Sequence, residues 1–570
     1  RSALFLFYVL GRYKSSGGAE DAGGRRQGRT PAARHSRNTR GLSSPQSSPQ
    51  PSYLVIFLQI RQFFSCFLHD KLSITRHSIH IGGVCMGTNI LVTAIVIVYL
   101  LVMLWIGWYS STKITSNTDF MVAGRRLGPL LMAGTLAATE IGGGSSLGVV
   151  QNGMSGFGLS ASWYITTMGI AFVILSFIAP KFRAATVKTV PEYFRRRYGK
   201  ECGLITAIIM LLPLVGLTAG QFIASAVILS TMLNIDYQVA VVIVAVVVTA
   251  YSIMGGLWSV TLTDFVQVFL IVIGMIIAIP FALNYAGGWS SVTANIEPGT
   301  LSMFKGYDVF GIISLVVMYT ATFSVGQEAV SRFYAAKDEK AAKGGAWLAA
   351  LVNFIYAFVP TILGIITLAL INMGKFSSEQ FASVGARYAL PVLAINTMPA
   401  LICGLLFAGI ISATMSSSDS DLLGAGSIFA NDIYKAVLKP DASSDSVMKV
   451  TKIVMCLVGV ASMLIALFNT QSIVSILMFC FTLRAAGSFF PYVMGHYWKK
   501  ASKAGTIASL LAGTIVVVYL EHISGGVLFG IKFSQPIIPG LVAAFIGFIV
   551  FSKIMPPEHE TTELAPEEDD

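Results

Sequence analysis

The feature that most limits the fold of this chain is a run of about 20 apolar residues that recurs between Ile90 and Phe551. A helix needs a run of that length to cross the hydrocarbon core of a bilayer. Charged residues make up 12% of the chain and the mean hydropathy is +0.72, whereas a soluble globular protein carries about 25% charged residues. The pattern predicts an all-α polytopic membrane protein and excludes a soluble enzyme, a disulfide scaffold or a disordered chain.

The positive charge of the chain lies almost entirely in its first 85 residues. Of a net charge of +11, residues 1–85 contribute +9 and the remaining 485 residues only +2. No basic groove for nucleic acid is therefore expected. Residues 15–51 are rich in Gly, Ser, Arg and Pro, a composition that cannot bury a core. Because the first methionine is Met86, we expect translation to start there and residues 1–85 to be upstream sequence or a disordered extension.

Charged residues and Gly/Pro punctuation divide the apolar part of the chain into thirteen predicted spans. If the N-terminus lies outside, the inner loops hold 22 Lys and Arg and the outer loops hold four. This is the positive-inside pattern, which places the C-terminus and the acidic tail, residues 557–570, in the cytoplasm. The ninth segment is too long for one span and is interpreted as a short interfacial helix, a span from about Pro399 and a cytoplasmic extension. The segments are 88–109, 129–150, 157–180, 202–233, 238–255, 259–284, 309–334, 345–373, 391–434, 449–468, 472–495, 505–521 and 535–553.

The second predicted span contains a carboxylate beside three consecutive glycines, Glu140 followed by Ile141 and Gly142–Gly144. Glycine costs about 1 kcal/mol in a helix, so the pattern predicts an unwound stretch at mid-depth. Unwound backbone is tolerated in a membrane only where it is buried or lines a cavity, and its carbonyl oxygens are suitable ligands for Na⁺. Close helix packing on small residues is the alternative interpretation.

The ninth predicted span carries hydroxyl groups on one helical face. Ala413, Ser416, Ser417 and Ser420 are spaced i, i+3, i+4 and i+7, so they share that face. An oxygen-rich stripe can coordinate a dehydrated alkali cation, and two aspartates in the same turns favour that interpretation. The alternative is that each serine bonds to the carbonyl four residues earlier in its own helix.

Two further spans contain polar residues at depth. Asp264 lies about a turn and a half inside the sixth span, either with a buried partner or as a helix cap. The seventh span breaks at Gly326, where Gln327 could bond to a solute and Glu328 could pair with Arg332. The two interrupted spans are five segments apart, as two inverted five-helix repeats would place them.

With these residues in place, the chain from Met86 to about Pro556 resembles the sodium/solute symporters, nearest to their choline-type and proline-type carriers. The resemblance implies the LeuT-type fold, with the second to sixth spans as one repeat and the seventh to eleventh as its inverted partner. The stretches that carry it are Ala137–Ser146, Gly255–Gln267, Gly326–Phe333 and Ser412–Tyr434.

The resemblance also implies two cation sites. The shared sodium site would use main-chain carbonyls from the second and ninth spans and two hydroxyls: Ala138, Ile141, Ala413, Ser416 and Ser417. A second site, found in some members, would fall nearer the cytoplasm on Asp264, Ser416, Asp419 and Ser420. Because Asp419 stands where those members have a hydroxyl, this second site would hold a cation with more charge around it, or a proton.

We therefore expect a sodium-coupled secondary transporter that imports a small polar organic solute by alternating access across the plasma membrane. The sequence predicts no enzyme; a monomer suffices for transport, and an oligomer is left open. The solute would be an amino acid, an amine or polyamine, or a related metabolite. Alternatives are a sensor module of the same fold, a passive channel, or a proton-coupled carrier of a monocarboxylate or vitamin. The residues predicted to contact the solute are Glu140, Gly143, Gln151, Gln221 and Gln327.

Overall fold

The structure is a computed structural model, and it describes residues 90–111, 121–377, 381, 385–469, 472–528, 530–533 and 535–566. The expectations for residues 1–85 and for a start at Met86 lie outside these ranges. Within them the chain is mainly helical, and a short antiparallel hairpin, β1 (Val527–Leu528) and β2 (Ile531–Lys532), precedes the last helix.

The helices follow the order of the predicted segments. In chain order they are α1 (Ile90–Ser111), α2 (Pro129–Glu140), α3 (Val149–Asn152), α4 (Trp163–Ala184), α5 (Val190–Tyr198), α6 (Lys200–Leu233), α7 (Tyr237–Ala286), α8 (Trp289–Ala294), α9 (Val309–Val325), α10 (Gln327–Ala335), α11 (Glu339–Tyr356), α12 (Phe358–Asn372), α13 (Ala389–Thr397), α14 (Ala400–Ile428), α15 (Ser444–Phe468), α16 (Ile473–Gly495), α17 (Lys503–His522) and α18 (Ile537–Ile554). Short π-helical or 3₁₀ segments cover Ala123–Arg125, Gly144–Gly148, Gly153–Phe157, Gly158–Ser162, Ala386–Tyr388 and Phe429–Leu438.

The predicted number of thirteen spans is not confirmed. Within the described ranges, ten helical segments are long and apolar enough to cross a membrane, and the bent pair α9–α10 makes up to eleven. The other two predicted spans fall short for different reasons. The apolar part of α1 covers only Ile90–Met103, and α2 has 12 residues because it ends at Glu140.

The predicted interruptions are confirmed. After α2, Ile141 leaves the helical region with ψ of 67°, and the chain resumes as a π-helical turn at Gly144. The axes of α9 and α10 differ by 57° across Gly326, whose backbone is extended. The fifth and sixth predicted spans are the two helical parts of α7, which meet at Gly256, whose φ of 53° and ψ of −167° are not helical. Glycine adopts that left-handed conformation without a steric penalty.

The predicted division of the long ninth segment into a short helix, a span and an extension is also confirmed. A nine-residue helix, α13, ends at Thr397, and the next helix, α14, starts after Pro399. Proline is well tolerated at a helix start because it has no N–H to satisfy there. The helix α14 then continues as a π-helical segment to Leu438. As a result, one uninterrupted buried helix carries Ala413 to Asp421 through the middle of the molecule.

Packing places the two interrupted spans side by side. Both α2 and α10 contact α14, and they contact each other. Near the start of α2 and the end of α10 a main-chain bridge joins them: Leu127 N–H donates to the Ala335 carbonyl (3.0 Å), and Lys337 N–H donates to the Leu127 carbonyl (2.9 Å). The break in α2 is therefore held against α14 in the core.

The outer surface and the C-terminal tail complete the description. Large apolar side chains face outward on many helices, among them Leu212, Val246 and Leu457, each more than half exposed, as lipid contact requires. The described part of the acidic tail does not extend freely into solvent. Its Ala565 exchanges two hydrogen bonds with Arg196 of α5, of 3.0 and 2.7 Å.

Candidate solute and sodium site

A cavity lies at the break in α2, between α2, α6, α14 and α16. One part of its wall is polar and includes several carboxylates. The rest is formed by apolar and aromatic side chains, including Leu217, Leu477 and Phe481. Sites for small organic molecules usually combine an apolar wall with a few well-placed polar groups.

The carboxyl group of Glu140 is buried in this wall, and its hydrogen bonding is incomplete. Glu140 is the last residue of α2 and is 7% exposed. Its Oε1 is buried and accepts no hydrogen bond from any described residue. An unpartnered buried acceptor costs about 1–3 kcal/mol, and more when it is charged. A ligand that brings a positive charge or a donor to this oxygen would recover that energy.

Three hydrogen bonds fix the unwound segment around Glu140. The Gly143 N–H donates to Gln221 Oε1 on α6 (2.7 Å). The Ser417 hydroxyl donates to the Thr139 carbonyl (2.7 Å), which ties α14 to the break. The Ser145 hydroxyl donates to the Glu140 carbonyl (2.8 Å). Gly143 and Gln221 thus act here mainly by positioning the backbone, although Gln221 also lines the cavity.

The residues predicted for the shared sodium site are only partly brought together. Within the described ranges no main-chain N–H donates to the carbonyls of Ala138 or Ile141, so both are left for another partner. Ser417 lies against the same turn, and its hydroxyl is also within 3.2 Å of the Ala413 carbonyl. These neutral oxygens suit an alkali cation. Ser416, in contrast, points its hydroxyl at Asp264 on α7.

A second cluster of buried polar groups is centred on Asp264. This carboxylate is fully buried and accepts hydrogen bonds from Thr135 and Ser416. It also forms an ion pair with Arg332, at 3.3 Å from Nη2. The same Nη2 donates to the hydroxyl of Ser420 at 2.5 Å. The arginine guanidinium therefore lies among three of the residues predicted for the second cation site.

The fourth residue of that set points elsewhere. The Asp419 carboxylate accepts a hydrogen bond from Ser252 of α7, and its Oδ2 has no hydrogen-bond partner among the described residues. Asp419 does not line the cavity. Residues 419 and 420 project from different sides of α14, so Asp419 does not join Ser420 in the cluster around Asp264 and Arg332.

Two glutamines predicted to contact the solute are not placed at the cavity. The Gln327 amide oxygen accepts from Val190 N–H (2.9 Å), and its amide nitrogen donates to the Lys188 carbonyl (3.0 Å). Both groups are thus committed to the loop that precedes α5. Gln151 lies on α3, beyond the break, and its Oε1 has no partner in the described part of the chain. Neither position supports the predicted contact.

Sequence reasoning also missed an ion pair that includes one residue of the cavity wall, Glu328. Arg484 of α16 donates a hydrogen bond from Nη1 to Glu328 Oε2 on α10 (2.7 Å), and its Nη2 lies 2.5 Å from Glu328 Oε1 in the same ion pair. Its Nε donates to Thr322 (2.6 Å). Glu328 therefore pairs with Arg484 and not, as considered above, with Arg332. A single arginine in an otherwise apolar span is itself a functional signal and could have identified this residue.

Comparison with known proteins places this chain in a known class. A sequence model of the sodium:solute symporter family matches residues 120–513, and the chain belongs to that family. Among curated proteins it is 27% identical over 477 residues to the osmoregulated proline transporter OpuE of Bacillus subtilis, covering 80% of this chain and 93% of OpuE. It is 26% identical to the high-affinity proline transporter PutP of the same organism, covering 81% and 98%.

Solved structures show the same fold. A sodium-coupled sialic acid symporter, in a substrate-bound outward-open state, superposes with a TM-score of 0.70 at 21% identity, covering 83% of this chain and 100% of that one. The nucleobase–cation symporter Mhp1 superposes with a TM-score of 0.52 at 12% identity, covering 78% and 96%. The all-α, LeuT-type fold class is confirmed. The protein is an integral membrane symporter that couples Na⁺ to the import of a small organic solute.

Proposed function

We propose that the solute of this symporter carries a protonated amino group and binds in the cavity at the break in α2, beside Glu140. The observation that carries this proposal is the buried, unpartnered Glu140 oxygen in the cavity wall. An ammonium group would supply both the charge and the donor that this oxygen lacks. The end of α2 adds to the attraction, since the C-terminus of a helix favours cations. Amino acids and amines share this group, and the relatives above are named for proline.

We propose that the coupling Na⁺ binds between the unwound segment and α14, on the carbonyls of Ala138, Ile141 and Ala413 and the hydroxyl of Ser417. In this structure the Ser416 hydroxyl donates to the Asp264 carboxylate instead. Binding there would order the backbone that carries Glu140, so that Na⁺ prepares the solute site. One Na⁺ that crosses 100 mV supplies about 2.3 kcal/mol, and a tenfold gradient about 1.4 kcal/mol more. Together these support accumulation of roughly 500-fold.

The cytoplasmic cluster of Asp264, Ser420 and Arg332 is proposed to help close the inner end of the pathway. Its groups come from α7, α14 and α10, so the cluster joins α14 to two helices that have a main-chain break or kink nearby. Transport by alternating access requires that such contacts break when solute and Na⁺ leave toward the cytoplasm. Asp419, with an unpartnered oxygen nearby on α14, is the proposed place for a second cation or a proton.

The remaining proposals concern the protein as a whole. We propose a plasma-membrane location with the N-terminus outside and the C-terminus in the cytoplasm, on the distribution of Lys and Arg among the loops. We also propose that residues 86–556 form the transport domain, that one chain suffices for transport without nucleic acid, and that the protein catalyses no chemical reaction. The relatives of this chain are transporters.

Uptake by proteoliposomes tests the proposed function. The purified full chain is reconstituted, and accumulation of labelled amino acids, amines and polyamines is measured with an inward Na⁺ gradient or an equal K⁺ gradient. We expect at least one solute with an amino group to accumulate only with Na⁺. Labelled solute should also exchange against unlabelled solute, as in a carrier and not in a channel. Accumulation in K⁺, or only of solutes without an amino group, would contradict the proposal.

A further inference from the structure

The balance of charge in the cavity narrows the solute further. We propose that the solute is an organic monocation with an N–H donor and without a carboxylate, an inference that rests on the proposed binding of an amino group at Glu140. A zwitterionic amino acid carries the same ammonium group together with a compensating anion. The two kinds of solute therefore place different charges in the same cavity, and the side chains in the wall can discriminate between them.

Three carboxyl groups line this wall, those of Glu140, Glu328 and Asp421. Glu328 forms an ion pair with Arg484, which neutralises its charge. Glu140 and Asp421 are 7% and 3% exposed, and neither forms an ion pair with any residue in the described ranges. In their ionised forms they place two negative charges near the cavity that no ion pair among the described residues neutralises.

The coupling ion and the solute together can match these two charges. Na⁺ would bind beside Ser417, one helical turn before Asp421 on α14, and among neutral oxygens, so it adds one positive charge. A solute with a charge of +1 then completes the balance. A zwitterion would leave one carboxylate unmatched, and a buried charge without a partner is strongly unfavourable.

Among the described residues, the cavity offers a solute carboxylate no cationic side chain that is not already paired. The nitrogen atoms of Arg484 are directed at Glu328 and Thr322. The N–H of Gly143, at the start of the second half of the broken span, is bonded to Gln221, and the N-terminus of α10, which would otherwise attract an anion, already has Glu328 in its first turn. The Tyr164 hydroxyl in the wall has no hydrogen-bond partner among the described residues, but it is neutral and cannot balance the charge of a carboxylate.

The rest of the wall fits the body of an amine. Met168, Leu217 and Leu477 provide an apolar surface, while the rings of Tyr164 and Phe481 lie in the same wall. Aromatic faces attract cations, and most strongly where water is excluded. The unpartnered Glu140 oxygen requires a hydrogen-bond donor, which a quaternary ammonium lacks. The preferred solute is thus a primary, secondary or tertiary amine with an apolar body.

Matched probes that differ only in charge test this inference. Thermal stability of the purified full chain is measured in Na⁺ and in K⁺ with L-prolinamide, a cation, and L-proline, its zwitterionic counterpart. A second pair is n-butylamine and 4-aminobutyrate, and choline represents a quaternary ammonium. In Na⁺ we expect each cation with an N–H group to bind at least about tenfold more tightly than its zwitterionic partner. Choline should bind more weakly than the amines.

The outcomes separate this inference from the proposed function. If L-proline or 4-aminobutyrate binds as tightly as its cationic partner or more tightly, the proposal of a monocationic solute is wrong, whereas the proposal of a solute with an amino group stands. If no amine cation binds although Na⁺ alone stabilises the protein, the proposal of a monocationic solute is also wrong. Equal binding of the amines in Na⁺ and K⁺ contradicts the proposed sodium coupling, whereas selectivity for the cation over its zwitterion would still support the charge assignment.

A charge variant provides the control within the protein. In Asp421→Asn one unmatched carboxylate is removed, so the preference for L-prolinamide over L-proline should fall by about tenfold or more. Glu297→Gln also removes one negative charge, but its side chain is 80% exposed in the ion pair with Lys305, so the preference should not change. An unchanged preference in Asp421→Asn, with the protein folded and still stabilised by Na⁺, overturns the inference.

Discussion

Two buried carboxyl groups from helices that pack against α14, Asp264 of α7 and Glu140 of α2, differ in how fully their oxygens are hydrogen-bonded. Asp264 accepts two hydroxyl hydrogen bonds and pairs with Arg332. At the cavity, one oxygen of Glu140 accepts nothing from any described residue. A carboxylate that is fully paired within the protein stabilises a conformation. A carboxylate left without a partner is free to select a ligand, and the following predictions test this distinction.

The largest effect is expected from Arg332→Met, which leaves the buried Asp264 carboxylate without its cation. Removal of one partner of a buried pair costs about 3–5 kcal/mol in unfolding free energy. The temperature of unfolding in detergent measures this change. The double variant Asp264→Asn/Arg332→Met has no unpaired charge and should recover part of the loss. If it is no more stable than Arg332→Met alone, the ion pair does not explain the stability of this cluster.

The next effect should be on transport with little effect on stability. In Glu140→Gln the fold keeps its internal hydrogen bonds, because the Oε1 atom has no partner to lose, and the temperature of unfolding should be unchanged or higher. Solute uptake should fall by about 30-fold or more, since loss of one member of a buried charge pair costs about 2–5 kcal/mol. The surface variant Glu297→Gln serves as control. Unchanged uptake kinetics would remove Glu140 from the solute site.

A smaller effect is expected on the sodium dependence of uptake. Ser417→Ala removes a proposed ligand and should raise the Na⁺ concentration for half-maximal uptake by about tenfold, equivalent to about 1.4 kcal/mol. Ser418→Ala is the matched control, because the Ser418 hydroxyl donates only to the Thr414 carbonyl of its own helix. Similar shifts in both variants would argue against Na⁺ at this position.

The smallest effect on transport is expected from Gln327→Ala. The variant loses two hydrogen bonds to the loop before α5, which should lower the unfolding free energy by about 1–3 kcal/mol. The apparent affinity for the solute should remain within about twofold of wild type, because the amide is directed away from the cavity. Gln151→Ala provides a comparison, since its amide oxygen has no partner to lose. A large loss of solute affinity in Gln327→Ala would instead indicate that Gln327 contacts the solute.

Local sequence patterns predicted much of this arrangement. Glycines next to Glu140 correctly indicated where α2 ends, because the cost of glycine in a helix is a local property and does not depend on residues distant in sequence. The resemblance to the symporter family implied that Ser417 lies near the break, and its hydroxyl donates to the Thr139 carbonyl there. The thirteen-span count was not confirmed, because the interruption at Glu140 shortens the helix that hydropathy alone would extend.

Partners that are distant in sequence were much harder to predict. Glu328 and Arg484 are 156 residues apart, and only the packing of α10 against its neighbours makes them a pair. The nearby Arg332 was a reasonable partner for Glu328 on helical spacing, but it is directed at Asp264 instead. Gln327 could not be assigned either, because a buried amide satisfies a loop backbone as readily as a solute.

The bridge between Leu127 and residues 335–337 has a consequence for how such a carrier can change over time. Its hydrogen bonds are made by the main chain, so every residue type except proline at a donor position preserves them. The mechanical joint between the two interrupted spans is therefore nearly independent of side-chain identity. Substitutions at the cavity can therefore change which solute is bound without removing these main-chain hydrogen bonds. Solute choice and the contact between the two interrupted spans can evolve separately.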